Sequence, residues 1–205
     1  MIYDISPPIT DTLKVFPGDT PPSREVLLDM KKGDFITLST FRSTVHVGSH
    51  VDAPSHYGRD ARTIDQQPLD LFLGECEVFR LTMQPGQLIT VDMLPPVVHT
   101  ERVLFYTGTY PNPLDFNLDF AAFDPAAVDR LGEQGVKLVG IDTPSVDPAT
   151  SKELLAHKRF LANDVAILEG IVLKDVPAGR YELVALPLAL VGFDASPVRA
   201  ILRTR

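Results

Sequence analysis

At 205 residues with an ordinary 44% apolar share, the chain is long enough to bury a core without disulfides, and disorder is excluded. A formal charge of −8 argues against nucleic acid as a partner, because phosphate binding needs a basic surface. Cys76 is the lone cysteine, and no basic leader or transmembrane-length apolar run is present, so a soluble cytoplasmic protein with one domain over 1–205 is expected.

Eighteen prolines predict many turns and short strands rather than a helix bundle. Residues 1 to 6 read as a short strand, and Phe16-Pro17-Gly18-Asp19 with Pro21-Pro22 as a loop built from turn residues. A strand over 24–30, a Lys-Lys-Gly-Asp turn and a long strand over 35–47, rich in Thr, Val, Ile and Phe, make a hairpin. It delivers the chain into residues 46 to 56, which hold three of the five histidines and one aspartate. Imidazole and carboxylate are the nitrogen and oxygen ligands of zinc and similar divalent ions. His46 and His50 in a straight strand would stand roughly 13 Å apart, too far to share an ion comfortably. The spacing therefore predicts a bend at Gly48–Ser49, with the exit stiffened by Pro54.

Residues 57 to 75 read as loop, with a turn of helix around 69–73, and 76–81 and 102–107 as buried strands. His99, between them, reads as a surface histidine. Residues 108 to 123 read as a long loop held down by Phe116, Phe120 and Phe123, covering a site or a subunit contact. Asp124-Pro125 opens a helix that Gly135 closes, and a strand over 136–141 follows. Asp147-Pro148 opens a second helix running to about Ala162, and strands follow at 165–173, 181–186 and 198–202. Hairpins early and helix–strand alternation late predict a mixed α/β layered domain.

Two residues of the later half bear on the histidine cluster. His157 projects from the apolar face of its helix, three residues after Leu154 and three before Phe160. Taken alone it reads as a satisfied core histidine. Glu169 is an acid in an otherwise buried strand and needs a cation or strong donors, whether an Arg or Lys partner or a metal. Beside the cluster, both become natural further ligands. His46, His50, Asp52, His157 and Glu169 together exceed the protein ligands of a typical catalytic zinc with an open position. Two carboxylates among three imidazoles suit two ions about 3.5 Å apart with shared oxygens, which leaves His56 free as a proton carrier. Neither Ser49 nor Cys76 shows the spacing of a nucleophilic triad.

These positions make the chain resemble the cyclase-type metal-dependent hydrolases, and among them the kynurenine formamidase (arylformamidase) branch. The family motif His-x-Gly-Thr/Ala-His-x-Asp-x-Pro-x-His fits residues 46 to 56, with Ser49 at the variable small position. The likeness extends to the loop at 16–21, to Gly140–Ser145, His157 and Ile167–Gly170, and to the tail Asp194–Arg199. It implies a swivelling β/β/α fold, a homo-oligomer (a dimer favoured) and one or two zinc ions, with manganese the alternative. It also implies metal ligands at His46, His50, Asp52, His157 and Glu169, His56 as proton donor and acceptor, and hydrolysis of N-formyl-L-kynurenine in tryptophan breakdown. Where the family often has Trp before Pro-Gly-Asp, as a wall for the aromatic substrate, this chain has Phe16, which still stacks. The rival expectations are a hydrolase of the same superfamily opening a cyclic amide such as isatin, and a metal-binding protein without turnover. The spare His56 argues against the second.

Overall fold

The computed structural model describes residues 1–204. Its strands, in chain order, begin with β1 (Ile2–Asp4), β2 (Ser23–Leu28), β3 (Leu38–Arg42), β4 (His50–Asp52), β5 (Leu73–Arg80), β6 (Leu88–Ile89) and β7 (Arg102–Tyr106). They continue with β8 (Ala122–Phe123), β9 (Leu138–Ile141), β10 (Ala166–Glu169), β11 (Gly179–Val184), β12 (Ala195–Pro197) and β13 (Ile201–Arg203). Two helices interrupt them, α1 (Pro125–Glu133) and α2 (Leu155–Ala162). No helix among the described residues is long and apolar enough to cross a membrane.

Nine strands form one sheet in the order β1-β13-β11-β5-β7-β9-β10-β4-β12. The centre, β5-β7-β9-β10, is parallel, and the strands on either side are antiparallel. Parallel neighbours need a crossover, which α1 supplies between β7 and β9 and α2 between β9 and β10. The central strands are buried on both faces, and their side chains alternate between two apolar clusters. Val103, Phe105, Val139 and Ile167 point towards Val128, Leu131 and Phe160 of the helices. Leu104, Leu138 and Leu168 point the other way, towards Val51, Tyr181 and Leu202. Phe160 is completely buried, so Phe160→Ala would cost about 3–5 kcal/mol. The mixed α/β layering expected from the sequence is the one observed.

Several element boundaries depart from expectation: the strand expected over 165–173 ends at Glu169, the one expected over 198–202 is shortened to β13, and two further departures bear on the site. The strand expected over 35–47 is confined to β3. Its partner β2 begins only after Pro21-Pro22, which have no N–H to extend the ladder, so pairing stops at Ser23↔Arg42 and 43–49 bend towards the site. At the far end, residues 29–37 are taken up by a 3₁₀ turn and by Gly33 at φ +99°. The second helix starts at Leu155 rather than at Asp147. Asp147 caps it from a distance: its carboxylate accepts the N–H groups of Ala156 and His157, each at 3.0 Å, while 148–154 run as non-helical chain. By contrast Asp124 caps α1 locally, accepting from Ala126 N–H, and Gly135 follows the helix at φ +82°.

The β2–β3 hairpin pairs only with itself and is exposed along nearly its whole length. It carries Val26, Leu27, Met30, Phe35, Ile36, Leu38 and Phe41 into solvent.

Candidate active site

Five segments converge at one end of the central strands. β4 and β10 run antiparallel in a register that sets His50 opposite Glu169 and Asp52 opposite Ile167. Because Ile167 faces the helix layer, His50, Asp52 and Glu169 face it too, and His157 reaches them from the first turn of α2. His46 enters from the bend before Gly48, and His56 from the 3₁₀ turn Pro54–His56. The bend itself depends on glycine twice. Gly48 has φ +60°, and Gly170 (φ +65°) passes so close that a Cβ there would lie 2.3 Å from the Gly48 carbonyl. The Ser49 hydroxyl fastens the same crossing by donating to the Gly170 carbonyl at 2.9 Å.

Asp52 lies at the centre. Its Oδ1 is 3.1 Å from His46 Nδ1 and 3.6 Å from His50 Nε2, and its Oδ2 is 3.4 Å from His157 Nε2. Glu169 spans the same gap, with Oε2 3.1 Å from His50 Nε2 and Oε1 3.7 Å from His157 Nε2. Glu169 Oε1 also accepts the Val146 N–H at 2.8 Å, and among the described residues no Arg or Lys pairs with this carboxylate. Candidate ligand atoms fall into two groups sharing Asp52: His50, Asp52 and Glu169, and His46, Asp52 and His56, each within 4.8 Å of one another. Both Asp52 oxygens are buried without a hydrogen-bond donor, an expensive arrangement that a cation on each side would relieve. The donor set therefore fits divalent metal.

The supporting contacts fix which ring nitrogen is offered. His157 Nδ1 is 2.6 Å from Asp147 Oδ2 and His50 Nδ1 is 3.1 Å from the Gly48 carbonyl. Each Nδ1 thus donates outward and leaves Nε2 as the ring atom that faces the carboxylates. Burial disfavours charge on His157, but Asp147 and Asp52 outweigh it and hold the ring's pKa up at about 10. Likewise burial opposes charge on His46, and Asp52 and Asp194 raise it to about 9. Burial pushes the Asp52 carboxyl up, and the imidazoles of His157 and His46 standing beside it overcome this and hold it well below the usual range.

Three acids were not anticipated as site residues. Asp194 Oδ2 stands 3.0 Å from His46 Nε2 and 3.4 Å from His56 Nδ1, tying the two rings together. Asp147 orients His157, as described. Asp142 accepts from Thr107 N–H and Oγ–H and from Gly108 N–H at 2.7 to 2.9 Å, and fixes the floor beside β7 and β9. In the sequence each looks like a turn residue, and only the resemblance had drawn attention to the Asp142 and Asp194 stretches.

All of this opens onto one cavity of about 560 Å³. Phe16 lines it and meets Phe116 edge-on at 5.3 Å, and Phe116 meets Tyr110 at 5.6 Å. The aromatic loop 108–123 therefore covers the site, one of its two expected roles. His99 is exposed, as expected.

Comparison with known proteins adds the following. The Cyclase family matches residues 3–148. A kynurenine formamidase of Bordetella petrii is 43% identical, covering 98% of this chain and 97% of its own, and one of Bordetella avium is equally similar over the same shares. A solved structure described as a potential metal-dependent hydrolase with cyclase activity superposes with a TM-score of 0.86 at 32% identity, covering 98% of this chain and 96% of the other. Isatin hydrolase A of Labrenzia aggregata shares the fold, with a TM-score of 0.84, 20% identity, and coverage of 100% and 94%.

Proposed function

The chain belongs to the Cyclase family, and from that premise we infer that it is a metal-dependent hydrolase cleaving N-formyl-L-kynurenine to L-kynurenine and formate. The observation that carries this reading on the structural side is Asp52, buried with two oxygens that lack a donor and shared by two groups of ligand-type side chains, His50 with Glu169 and His46 with His56, which themselves line an aromatic-walled cavity. We take the metal to be zinc, two ions per chain, held by His46, His50, Asp52, His157 and Glu169, with manganese the alternative. What the metal supplies when bound is Lewis acidity: water that ionises near neutral pH and a polarised carbonyl.

The rest falls to the chain's own groups. Phe16, backed by Phe116, stacks the aryl ring and brings the formyl group to the floor of the cavity. His56 takes the proton of the attacking water and passes it to the leaving aniline nitrogen, which departs poorly as an anion. Asp194 turns the His56 ring towards that task through Nδ1. Asp52 reaches His46, His50 and His157, and Glu169 reaches His50 and His157, so the two carboxylates would hold the three imidazoles around the metal. The reaction places the enzyme in tryptophan breakdown, and the single buried cysteine is in keeping with the cytoplasm. The exposed apolar hairpin supports a homodimer, since a lone two-stranded ribbon is marginally stable in water.

The test is turnover by protein purified without chelators, with N-formyl-L-kynurenine and isatin as parallel substrates. Kynurenine release that disappears on chelation and returns with zinc is expected. Preference for isatin would overturn the substrate, and full activity in metal-free protein would overturn the mechanism.

A further inference from the structure

We propose that the mouth of the cavity reads the amino-acid end of the substrate: the Lys14 and Lys174 ammonium groups take its α-carboxylate, and the Asp19 carboxylate takes its α-ammonium. This rests on the hydrolase reading above and assigns the part of the substrate that metal and aromatic wall leave unread.

The argument starts from which charges at the cavity are already engaged. Its lining contains four acids, Asp19, Asp142, Glu169 and Asp194, and two fixed cations, Lys14 and Lys174. Asp142 is held by Thr107 and Gly108, Glu169 by Val146 and His50, and Asp194 by His46 and His56. Among the described residues, the side chains of Asp19, Lys14 and Lys174 have no hydrogen bond or ion pair. All three are exposed, whereas the engaged acids lie deeper. The uncommitted charges therefore all belong to the exposed part of the cavity lining.

Their roots are nonetheless fixed. Lys14 N–H donates to the Pro113 carbonyl in the aromatic loop, and Asp19 N–H donates to the Phe16 carbonyl, closing the turn that holds the aromatic wall. The carbonyl of Leu173, next to Lys174, accepts from Arg80. A ring stacked on Phe16 would thus carry its side arm past Asp19 and the lysines. Charge points the same way. The whole chain carries −8, so a carboxylate-bearing substrate is repelled at long range unless cations meet it at the entrance. Two lysines and one aspartate match a zwitterion, a requirement that a cyclic amide such as isatin does not share.

The experiment compares N-formyl-L-kynurenine with 2-formamidoacetophenone, the same ring without the amino-acid arm, on metal-loaded protein. Exposed charge pairs are individually weak, so Lys14→Ala and Lys174→Ala should each raise KM for formylkynurenine about threefold, and the pair about tenfold. The kcat/KM ratio between the two substrates should fall by the same factor, and Lys→Arg at either position should restore most of it. An unchanged ratio in the double variant, or Arg doing no better than Ala, overturns the proposal. If wild type cleaves both substrates equally well, the grip is wrong while amide hydrolysis stands. If it cleaves neither, the hydrolase reading fails and takes this proposal with it.

Discussion

Asp147→Asn isolates a group that touches no candidate metal position directly yet governs one that does. The carboxylate is 2% exposed and accepts three donors: His157 Nδ1 at 2.6 Å, and the N–H groups of His157 and Ala156 at 3.0 Å. An amide of the same shape keeps one oxygen and turns an NH₂ towards donors, so at least one buried N–H loses its acceptor. Hydrogen bonds to a charged group are each worth about 1.5–3 kcal/mol, and the orphaned donor sets the loss at roughly 2–3 kcal/mol. For a chain of this size that is a fall in Tm of about 4–12 °C. The metal effect is separate. Asp147 keeps the proton on Nδ1 and the Nε2 lone pair towards Asp52 and Glu169, and loss of such an outer partner weakens metal binding by roughly 10–100-fold. Competition with a chelating dye measures the affinity, and thermal unfolding with and without metal separates the two effects. A lower Tm with wild-type metal affinity would reduce Asp147 to a helix cap and refute its hold on the imidazole.

Further outcomes follow from the same geometry. Glu169→Gln keeps the Val146 bond but removes the charge between His50 and His157, so the folded protein should lose at least one metal equivalent by elemental analysis; normal metal content would sink the two-ion assignment. His56→Ala should lose about 10²–10⁴-fold in kcat while retaining metal, whereas His50→Ala should lose both; a metal-depleted His56→Ala would make His56 a ligand, which its place beside His46 and Asp52 permits. With His46 raised to about 9 and His157 to about 10, both are protonated at pH 7 in metal-free protein; their contribution to its stability is full below about 6.5 and lost as pH rises through those values. Metal must displace these protons, so its affinity should tighten with pH and about two protons per chain should be released at pH 7, read by calorimetry in buffers of different ionisation heat; release of none would refute the raised values. Phe41→Asp, on the exposed hairpin, should convert a dimer to monomer in sedimentation; an undisturbed dimer would place the interface elsewhere.

Much of the fold was legible because its central strands state their burial locally. Strands β7, β9 and β10 are apolar runs bounded by turn residues, and Asp124-Pro125 with Gly135 brackets α1 by local capping. What failed was everything decided by a partner far along the chain. The end of β3 is set by prolines some twenty residues earlier, which β-propensity over 35–47 cannot register. Asp147-Pro148 has the form of a helix start, yet its carboxylate serves a helix beginning at Leu155, and only tertiary structure separates those two uses. Sheet order has no local signature at all, so the pairing of β1 with β13 was invisible.

The candidate site divides along the same line. The cluster at 46–56 was legible because its ligand types crowd into one bend, His157 because a helix face has a period, and Glu169 because a charge interrupts an apolar strand. Asp194 and Asp147 each sit where a turn residue needs no further explanation. The register of β4 on β10 turns these separate signals into one site. His50 and Asp52 share a face, Glu169 lies opposite His50, and Val51 and Leu168 fill the other face. Strand side chains alternate, so a slip of one residue would send His50 and Asp52 into that apolar cluster and bring Val51 towards His157. Gly48 and Gly170 prevent the slip from the end of the pair, since their backbones meet where no side chain fits, and Ser49 bonds across them. Gly48 and Ser49 of the motif, with Gly170, therefore hold the register on which the candidate ligands depend, and bulk at Gly170 should scatter the donor set before it unfolds the sheet.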